Sequence, residues 1–155
     1  MISVLFVCLG NICRSPMAEA VFRQMVREAG LENQIRIDSA GIGGWHEGEP
    51  PHRGTRKILD TYGISHEGIR ARQISREDLD RFDIIVAMDN SNMAALRRMA
   101  EKTSADLFLL TDFIPDTDRS DVPDPYYTGN FEEVYELVEA GCRGLLQKIR
   151  EREGI

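Results

Sequence analysis

Four short apolar runs, separated by stretches of helical periodicity, restrict the fold of this chain more than any other feature. The runs cover residues 2–7, 35–38, 82–88 and 106–112. They lack the alternation of strands with one solvent-facing side, so they are typical of strands buried on both faces of a parallel sheet. Parallel strands need crossover connections, which intervening helices provide. The pattern predicts an α/β fold: a small doubly wound, Rossmann-like domain with a four-stranded parallel sheet and helices on both faces.

The connections between these runs divide into helices and loops. Apolar residues recur with helical spacing over residues 16–29, 54–62, 90–102 and 131–151. Segments rich in glycine, proline, aspartate or serine are predicted as loops over residues 41–51, 62–75 and 115–130. Because 155 residues with 42% hydrophobic content suit one core, we expect a single domain over residues 1–155.

Charge and cysteine content limit the classes of function. The net charge is −7, and the stretch from Asp112 to Glu139 holds nine acidic residues and one basic residue. This balance argues against binding to nucleic acids or anionic membranes, which require basic surfaces. Three cysteines are too few for a disulfide framework and favour thiols with individual roles. Without a basic leader or an apolar span of about 18 residues, we expect a cytoplasmic protein, and we expect it to be a monomer.

The segment that follows the first apolar run, VCLGNICRSP at residues 7–16, is suited to hold an anion. Gly10 and Asn11 tolerate unusual backbone angles, so successive N–H groups of this loop can point at one centre. Ser15 and Pro16 are preferred at the start of a helix, which directs the positive end of the helix dipole at the same centre. The segment therefore predicts an anion-binding loop.

Cys8 and Arg14 add chemistry to this loop. The planar guanidinium of Arg14 can bind two oxygens of a phosphate. At the base of the loop, the N–H groups, the helix end and Arg14 favour the nucleophilic thiolate of a cysteine. A buried structural cysteine would explain Cys8 taken alone. It would not explain the whole pattern, in which five residues separate a cysteine from Arg-Ser-Pro and the segment lies between a strand and a helix. We expect a sulfur nucleophile that attacks a phosphoryl group held by the loop.

Other anion-dependent and metal-dependent sites do not fit this segment. No Gly-Lys dipeptide occurs in the chain, so the loop is not an ATP-binding loop. No second cysteine pair or nearby histidine completes a metal site with Cys8 and Cys13. We therefore expect neither a metal nor a cofactor.

The departing oxygen of a phosphate ester needs a proton, which a carboxylic acid on a loop can supply. The acidic loop offers five candidates: Asp112, Asp116, Asp118, Asp121 and Asp124. Asp124 is distinguished by the Pro-Tyr-Tyr that follows it, since proline stiffens the chain and tyrosine can pack on an aromatic substrate. Asp-Pro is also common in turns, so composition does not choose among the five.

The chain closely resembles the low-molecular-weight protein tyrosine phosphatases over nearly its whole length. The motifs that carry the resemblance are VCLGNICRSPMAEA at 7–20, DSAG at 38–41, ARQI at 71–74, FDIIVAMDNSN at 82–92 and DPYY at 124–127. The resemblance implies that Cys8 forms a phosphocysteine intermediate and that Arg14 binds the phosphate. It also implies that Asp124 is the general acid, and then the base for the water that hydrolyses the intermediate. The implied partners are proteins that contain phosphotyrosine.

The resemblance also implies supporting roles around the loop. Ser15 is expected to hydrogen-bond the Cys8 sulfur, and Asn11 to brace the loop through a serine and a histidine that correspond to Ser39 and His66. Cys13 resembles a second cysteine that forms a reversible disulfide with the nucleophile under oxidation. Asp89 matches a family motif, although helix capping explains it equally well. The other implied site residues are Leu9, Gly10 and Ile12 in the loop. Leu9, Trp45 and Tyr126 are expected to form the walls of the substrate cleft.

Three other functions are alternatives to a tyrosine phosphatase. Arsenate reductases of this fold need two further cysteines in the middle of the chain, which this sequence lacks. Bacterial protein arginine phosphatases carry a threonine at the position of Ile12 and tend to lack the tyrosine pair, so Ile12 and Tyr126 favour phosphotyrosine. A non-catalytic phosphate-binding module would need neither Cys8 nor Asp124.

Overall fold

The strands and helices of the computed structural model alternate along the chain, and the model describes residues 1–100 and 102–155. The strands are β1 (Ile2–Cys8), β2 (Ile35–Gly41), β3 (Ile84–Ala87) and β4 (Asp106–Leu109). The helices are α1 (Arg14–Glu28), α2 (Arg53–Thr61), α3 (Asp78–Arg81), α4 (Asn90–Met99), α5 (Pro125–Thr128) and α6 (Phe131–Glu153). A 3₁₀ turn, Leu110–Phe113, follows β4.

The four strands form one parallel sheet in the order β2-β1-β3-β4. The strand order reverses on either side of β1, so the crevice for a ligand lies beyond the carboxyl end of that strand. β1 ends at Cys8. The predicted doubly wound α/β fold is confirmed, and its switch point lies at the predicted anion-binding loop.

Two apolar layers cover the sheet, one on each face. Val4 and Phe6 of β1 pack in the larger layer with residues of α1, α2 and α6, and Phe6 makes an edge-on contact with Phe22. Leu5 and Val7 point to the smaller layer, which includes residues of α3 and α4. Because side chains alternate along a strand, an uninterrupted apolar run supplies both layers. Such a strand holds its carboxyl end rigidly between two packed faces.

The observed elements differ from the predicted ones mainly at their ends. α1 begins at Arg14, two residues earlier than predicted, and its N-cap, Cys13, makes no side-chain cap hydrogen bond. The predicted strand over 106–112 ends at Leu109, because the apolar run continues into the 3₁₀ turn. The predicted helix over 90–102 ends at Met99, and its position 101 lies outside the described residues. The short helices α3 and α5 were not predicted.

Within residues 1–100 and 102–155, no helix has both the length and the apolar character needed to cross a membrane.

Candidate active site

The loop between β1 and α1, residues 8–14, is called the phosphate loop below. Asn11 adopts the left-handed backbone conformation with φ +53°, as predicted, whereas Gly10 does not. Glycine at position 10 instead makes room, because a Cβ there would lie 3.3 Å from Cδ2 of His46. One left-handed residue is thus enough to turn the loop back on itself.

Main-chain bonds from neighbouring segments hold the curvature of the phosphate loop. Its carbonyl oxygens at residues 8, 9 and 12 accept hydrogen bonds from the N–H groups of residues 42, 43 and 52, over 3.0, 2.9 and 2.7 Å. The carbonyl oxygen of Cys13 accepts from Thr55 Oγ1 at 3.1 Å. Gly41 at the end of β2 lies so close that a Cβ there would be 2.8 Å from the Gly10 carbonyl carbon. No feature of the sequence indicates this contact directly.

Cys8 and Ser15 face each other at the base of the loop. The Cys8 Sγ lies 2.9 Å from the Ser15 Oγ, and both side chains are buried. The contact implied by the resemblance is therefore present. The expectation that Ser15 caps α1 is wrong, because the helix already includes Ser15 and the hydroxyl is turned toward the sulfur.

A chain of buried polar side chains supports the phosphate loop from behind. Asn11 Nδ2 donates to Ser15 Oγ at 2.7 Å and to Ser39 Oγ at 3.0 Å, while Asn11 Oδ1 accepts from the main-chain N–H of Arg72 at 2.9 Å. Ser39 Oγ in turn donates to Glu19 Oε1 at 2.5 Å. The predicted brace through Ser39 is present. The hydrogen bonds of Glu19 and Arg72 in this chain were not predicted from the sequence.

The predicted contact between His66 and Asn11 is wrong. His66 Nε2 lies 3.0 Å from Asp60 Oδ1 at the surface. The segment that contains His66 reaches Asn11 further along, through the main-chain N–H of Arg72. Behind Asn11, Ser39 donates to a carboxyl group of α1, that of Glu19.

Arg14 connects the phosphate loop to two other segments. Its Nη1 donates to Asp89 Oδ2 at 2.7 Å and to the Val122 carbonyl oxygen at 3.0 Å, and its Nη2 lies 3.4 Å from Asp124 Oδ2. Burial acts to lower the pKa of Arg14, but the charges of the Cys8 thiolate and of the two carboxylates outweigh it and raise the pKa. Arg14 Nε is buried and has no hydrogen-bond partner within the described parts of the chain. A buried donor of this kind needs an acceptor, which an oxyanion in the loop would supply.

Asp124 is the aspartate of the acidic loop that the fold brings to Cys8. Both residues line a cleft of about 230 Å³ above the phosphate loop. Asp124 Oδ1 caps α5 by accepting from the N–H of Tyr126 at 3.1 Å, which directs the other oxygen toward Arg14. Asp89 was attributed either to a family motif or to helix capping. It caps α4 by accepting from the N–H of Asn92, and it also pairs with Arg14.

Aromatic side chains wall the mouth of the cleft. Trp45 is 70% exposed and Tyr126 is 53% exposed, although both line the cleft, as the resemblance implied. His46 and Tyr127 also line it; Tyr127 belongs to the tyrosine pair noted in the sequence, whereas His46 was missed. The position of His46 next to Trp45 was the available signal. The full lining is Cys8, Leu9, Gly10, Ile12, Cys13, Arg14, Trp45, His46, Asp124, Tyr126 and Tyr127.

The other two cysteines are buried thiols. Burial, together with the negative charges of Cys8 and Asp124, raises the pKa of Cys13 to about 12, so it stays protonated at neutral pH. Burial also raises the pKa of Cys142, which lies in α6 against α1. Among residues 1–100 and 102–155, no group of three or more histidine, cysteine or acidic side chains is placed to hold a metal ion.

Comparison with known proteins identifies relatives along the whole chain. A family model described as low molecular weight phosphotyrosine protein phosphatase matches residues 3–154. The low molecular weight protein-tyrosine-phosphatase YfkJ of Bacillus subtilis is 58% identical over 154 residues, which is 99% of each chain. The crystal structure of YfkJ matches with a TM-score of 0.96 and 59% identity, over 98% of this chain and 96% of that one.

More distant relatives also match nearly the whole chain. The low molecular weight protein-tyrosine-phosphatase PtpA of Staphylococcus epidermidis is 48% identical over 149 residues, which is 96% of this chain and 94% of PtpA. The structure of a Drosophila arginine phosphatase matches with a TM-score of 0.89 and 34% identity, over 95% of this chain and 97% of that one. The resemblance in the sequence is thereby confirmed, and the chain belongs to the low molecular weight phosphotyrosine protein phosphatase family.

Proposed function

We propose that this protein hydrolyses phosphotyrosine in proteins through a phosphocysteine intermediate. The observation that carries the proposal is the arrangement of one cleft, which Cys8, Arg14 and Asp124 line together. Arg14 Nε has no hydrogen-bond partner among the described residues. Nucleophile, anion-binding donor and proton donor are the three groups that transfer of a phosphoryl group to sulfur requires.

In the first step, the Cys8 thiolate attacks phosphorus while the bond from phosphorus to the tyrosine oxygen breaks. Asp124 gives its proton to the departing phenolate, so tyrosine leaves as a neutral phenol. Arg14 and the N–H groups of the phosphate loop bind the equatorial oxygens, whose charge is spread over the transition state. The products are tyrosine and an enzyme with phosphate on Cys8.

In the second step, water attacks the phosphocysteine and the bond from sulfur to phosphorus breaks. The Asp124 carboxylate accepts a proton from that water, which restores the acid for the next cycle. The Ser15 hydroxyl, 2.9 Å from the sulfur, stabilises the departing thiolate of Cys8. The second product is inorganic phosphate.

The cleft suits an aromatic phosphate ester. Trp45 and Tyr126 stand at its mouth, where they can contact both faces of a phenyl ring. A phosphoarginine substrate is the second candidate, because an arginine phosphatase shares the fold at 34% identity. Ile12 at the loop and the exposed tyrosine pair favour phosphotyrosine.

Hydrolysis of phosphotyrosine, phosphoarginine and phosphoserine peptides without added metal tests the proposal. We expect the unmodified protein to prefer phosphotyrosine, and Cys8→Ser to lose at least about 10⁴-fold in turnover. Asp124→Asn should lose roughly 10²- to 10³-fold with phosphotyrosine but much less with an aryl phosphate whose leaving group needs no proton. Full activity of Cys8→Ser would exclude the mechanism, and a preference for phosphoarginine would establish the second candidate.

The setting of the activity is also part of the proposal. We expect the protein to act as a cytoplasmic monomer on phosphoproteins, which sedimentation of the purified protein and fractionation of cells would test. We also expect peroxide to join Cys8 and Cys13 in a disulfide that thiols reverse, since both thiols line the same cleft. If Cys13→Ser recovers from peroxide as fully as the unmodified protein, this protective role is excluded.

A further inference from the structure

A buried carboxyl group ends the polar chain behind the phosphate loop and takes no part in the two proposed steps. Glu19 lies on α1 with 8% of its surface exposed, and its Oε1 accepts from Ser39 Oγ at 2.5 Å. Burial raises the pKa of Glu19 to about 7, although the hydrogen bond from Ser39 opposes the shift. A glutamate in such a place costs stability when it ionises. Its position points to a role in the polar chain.

The hydrogen-bond directions in this chain are fixed by a main-chain group. The N–H of Arg72 can only donate, so the Asn11 atom that faces it is Oδ1. The amide nitrogen of Asn11 therefore faces the opposite way, and its two hydrogens reach Ser39 and Ser15. Both hydroxyl oxygens accept from Asn11 and keep their own protons for another partner.

Those two protons have one acceptor each within the described parts of the chain. The Ser39 proton goes to Glu19 Oε1 at 2.5 Å, and the Ser15 proton goes to the Cys8 sulfur at 2.9 Å. Four consecutive hydrogen bonds thus run between the carboxyl group and the nucleophile. Hydrogen bonds that share donors and acceptors in a buried chain strengthen one another.

We propose that Glu19 is a positioning residue, whose carboxyl oxygen takes the Ser39 proton and so keeps Ser15 donating to the Cys8 sulfur. Without this acceptor, the Ser39 hydroxyl is free to turn its proton toward Asn11, which displaces the amide from Ser39. Asn11 then holds Ser15 less firmly, and the thiolate loses part of its hydrogen bond. The role in turnover rests on the proposed function, whereas the effect on the reactivity of Cys8 does not.

The charged groups around Glu19 set how the effect depends on pH. Asp38 on β2 raises the pKa of Glu19, while Arg23 on the same helix and Arg72 on the segment after α2 lower it. Since the pKa is about 7, Glu19 becomes ionised between pH 6 and pH 8. A carboxylate is a stronger acceptor than a carboxylic acid. The influence of Glu19 on Cys8 should therefore grow over this interval.

Alkylation of Cys8 by iodoacetamide, followed by peptide mass spectrometry, measures the reactivity of the sulfur without any turnover. Glu19→Met removes the acceptor at similar length, and Glu19→Gln keeps an acceptor oxygen without the charge. We expect alkylation to slow about threefold to tenfold in the first variant and less in the second. The ratio of the unmodified rate to the Glu19→Gln rate should rise from pH 6 to pH 8. Glu28→Gln, which alters an exposed carboxylate on the same helix, is the matched control and should change nothing.

Protection of Cys8 from alkylation by inorganic phosphate separates positioning from simple structural support. We expect the phosphate concentration for half-protection to stay within about twofold in both Glu19 variants, because the loop and Arg14 remain in place. A parallel loss of phosphate binding, or alkylation unchanged in both variants, would overturn the role of Glu19. If Glu19→Met does not fold, Glu19→Gln and Ser39→Ala carry the same test. Absence of phosphoester hydrolysis by the unmodified protein would reject the proposed function alone.

Discussion

The phosphate loop and the segment that carries Asp124 meet in one cleft but are built in opposite ways. Asn11 and Arg14 of the first region are at most 2% exposed. The second region, residues 115–130 and called the acid loop below, leaves Tyr126 and Tyr127 largely exposed. One region is enclosed by the core, whereas the other lies over the surface.

The difference follows from what each region does in the proposed reaction. Groups that stabilise developing charge work best when they are fixed before the reaction begins, and the buried hydrogen bonds of the phosphate loop provide that. A segment that covers a substrate must also release the product. The acid loop is attached at separate points, such as the hydrogen bonds from the N–H of Val122 to the Met88 carbonyl at 2.8 Å and from the N–H of Asn90 to Asp121 at 2.8 Å. Rigidity and access are thus divided between two segments of the chain.

Arg14→Lys disturbs a side chain that contacts both regions, and among the substitutions that test this comparison we expect the largest effect from it. The planar guanidinium of Arg14 contacts Asp89, the Val122 carbonyl and Asp124, and its Nε is left for an oxyanion. The ammonium group of lysine cannot make all of these contacts at once. We expect kcat/KM for a phosphotyrosine peptide to fall about 10²- to 10³-fold. Arg97→Lys on the exposed face of α4 is the control. Retention of more than a tenth of the activity would mean that charge alone suffices at position 14.

Glu19→Gln sharpens the comparison by testing the cost of the buried support. The pKa of Glu19 is about 7 in the folded protein against an ordinary 4.5, so the folded state binds this proton more tightly than the unfolded state. The resulting stabilisation is complete below pH 4.5 and is lost as the pH rises through 7. Glutamine does not titrate, so the variant should gain up to about 3 kcal/mol in free energy of unfolding relative to the unmodified protein between pH 5 and pH 8.

Urea unfolding at a series of pH values measures this difference. Glu28→Gln, at an exposed site on the same helix, should show no such trend. Parallel stability curves for the unmodified protein and Glu19→Gln would mean that Glu19 ionises as freely in the folded protein as in the unfolded chain.

Gly41→Ala tests how closely the phosphate loop must fit its scaffold. The added methyl group would lie 2.8 Å from the Gly10 carbonyl carbon and 2.9 Å from the Asn11 nitrogen, so the loop must shift. We expect kcat/KM to fall roughly tenfold to hundredfold, since small displacements of catalytic groups are costly. Gly30→Ala is the control. The φ angle there is +73°, but an added Cβ would have no described atom within 4 Å apart from its chain neighbours. This variant should lose about 1 kcal/mol of stability through backbone strain and keep its activity.

The same contrast explains which parts of the site could be predicted from the sequence. The phosphate loop is encoded locally, so the chain segment from Cys8 to Ser15 predicted the anion-binding loop and the left-handed Asn11. The wrong details came from contacts with distant segments. The Glu19 to Ser39 bond joins a helix to a strand and has no local signal, and the resemblance assigned His66 to the support of Asn11 without indicating Glu19.

Apolar runs in the sequence predicted the strands of the fold, but not the residues at which the strands end. Uninterrupted apolar runs encode buried parallel strands, and all four were located. β4 stops at Leu109 although the apolar run continues, because Leu110 and Phe113 bury their side chains from a 3₁₀ turn. Periodicity reports burial, and burial alone does not distinguish a strand from the turn that follows it.

Asp121→Ala loosens the acid loop alone, and we expect the smallest effect from it. Asp121 Oδ1 accepts from the main-chain N–H of Asn90 at 2.8 Å, which ties the acid loop to the start of α4 three residues before Asp124. Because this bond is exposed, its loss should lower kcat for phosphotyrosine by only about twofold to fivefold. An aryl phosphate that needs no proton should react at the unmodified rate, and iodoacetamide should alkylate Cys8 as before, since the phosphate loop is untouched. Asp118→Ala removes an exposed carboxylate from the same loop and controls for charge. If both substrates slow equally in Asp121→Ala, the two regions are not independent, and the acid loop also holds the phosphate loop in place.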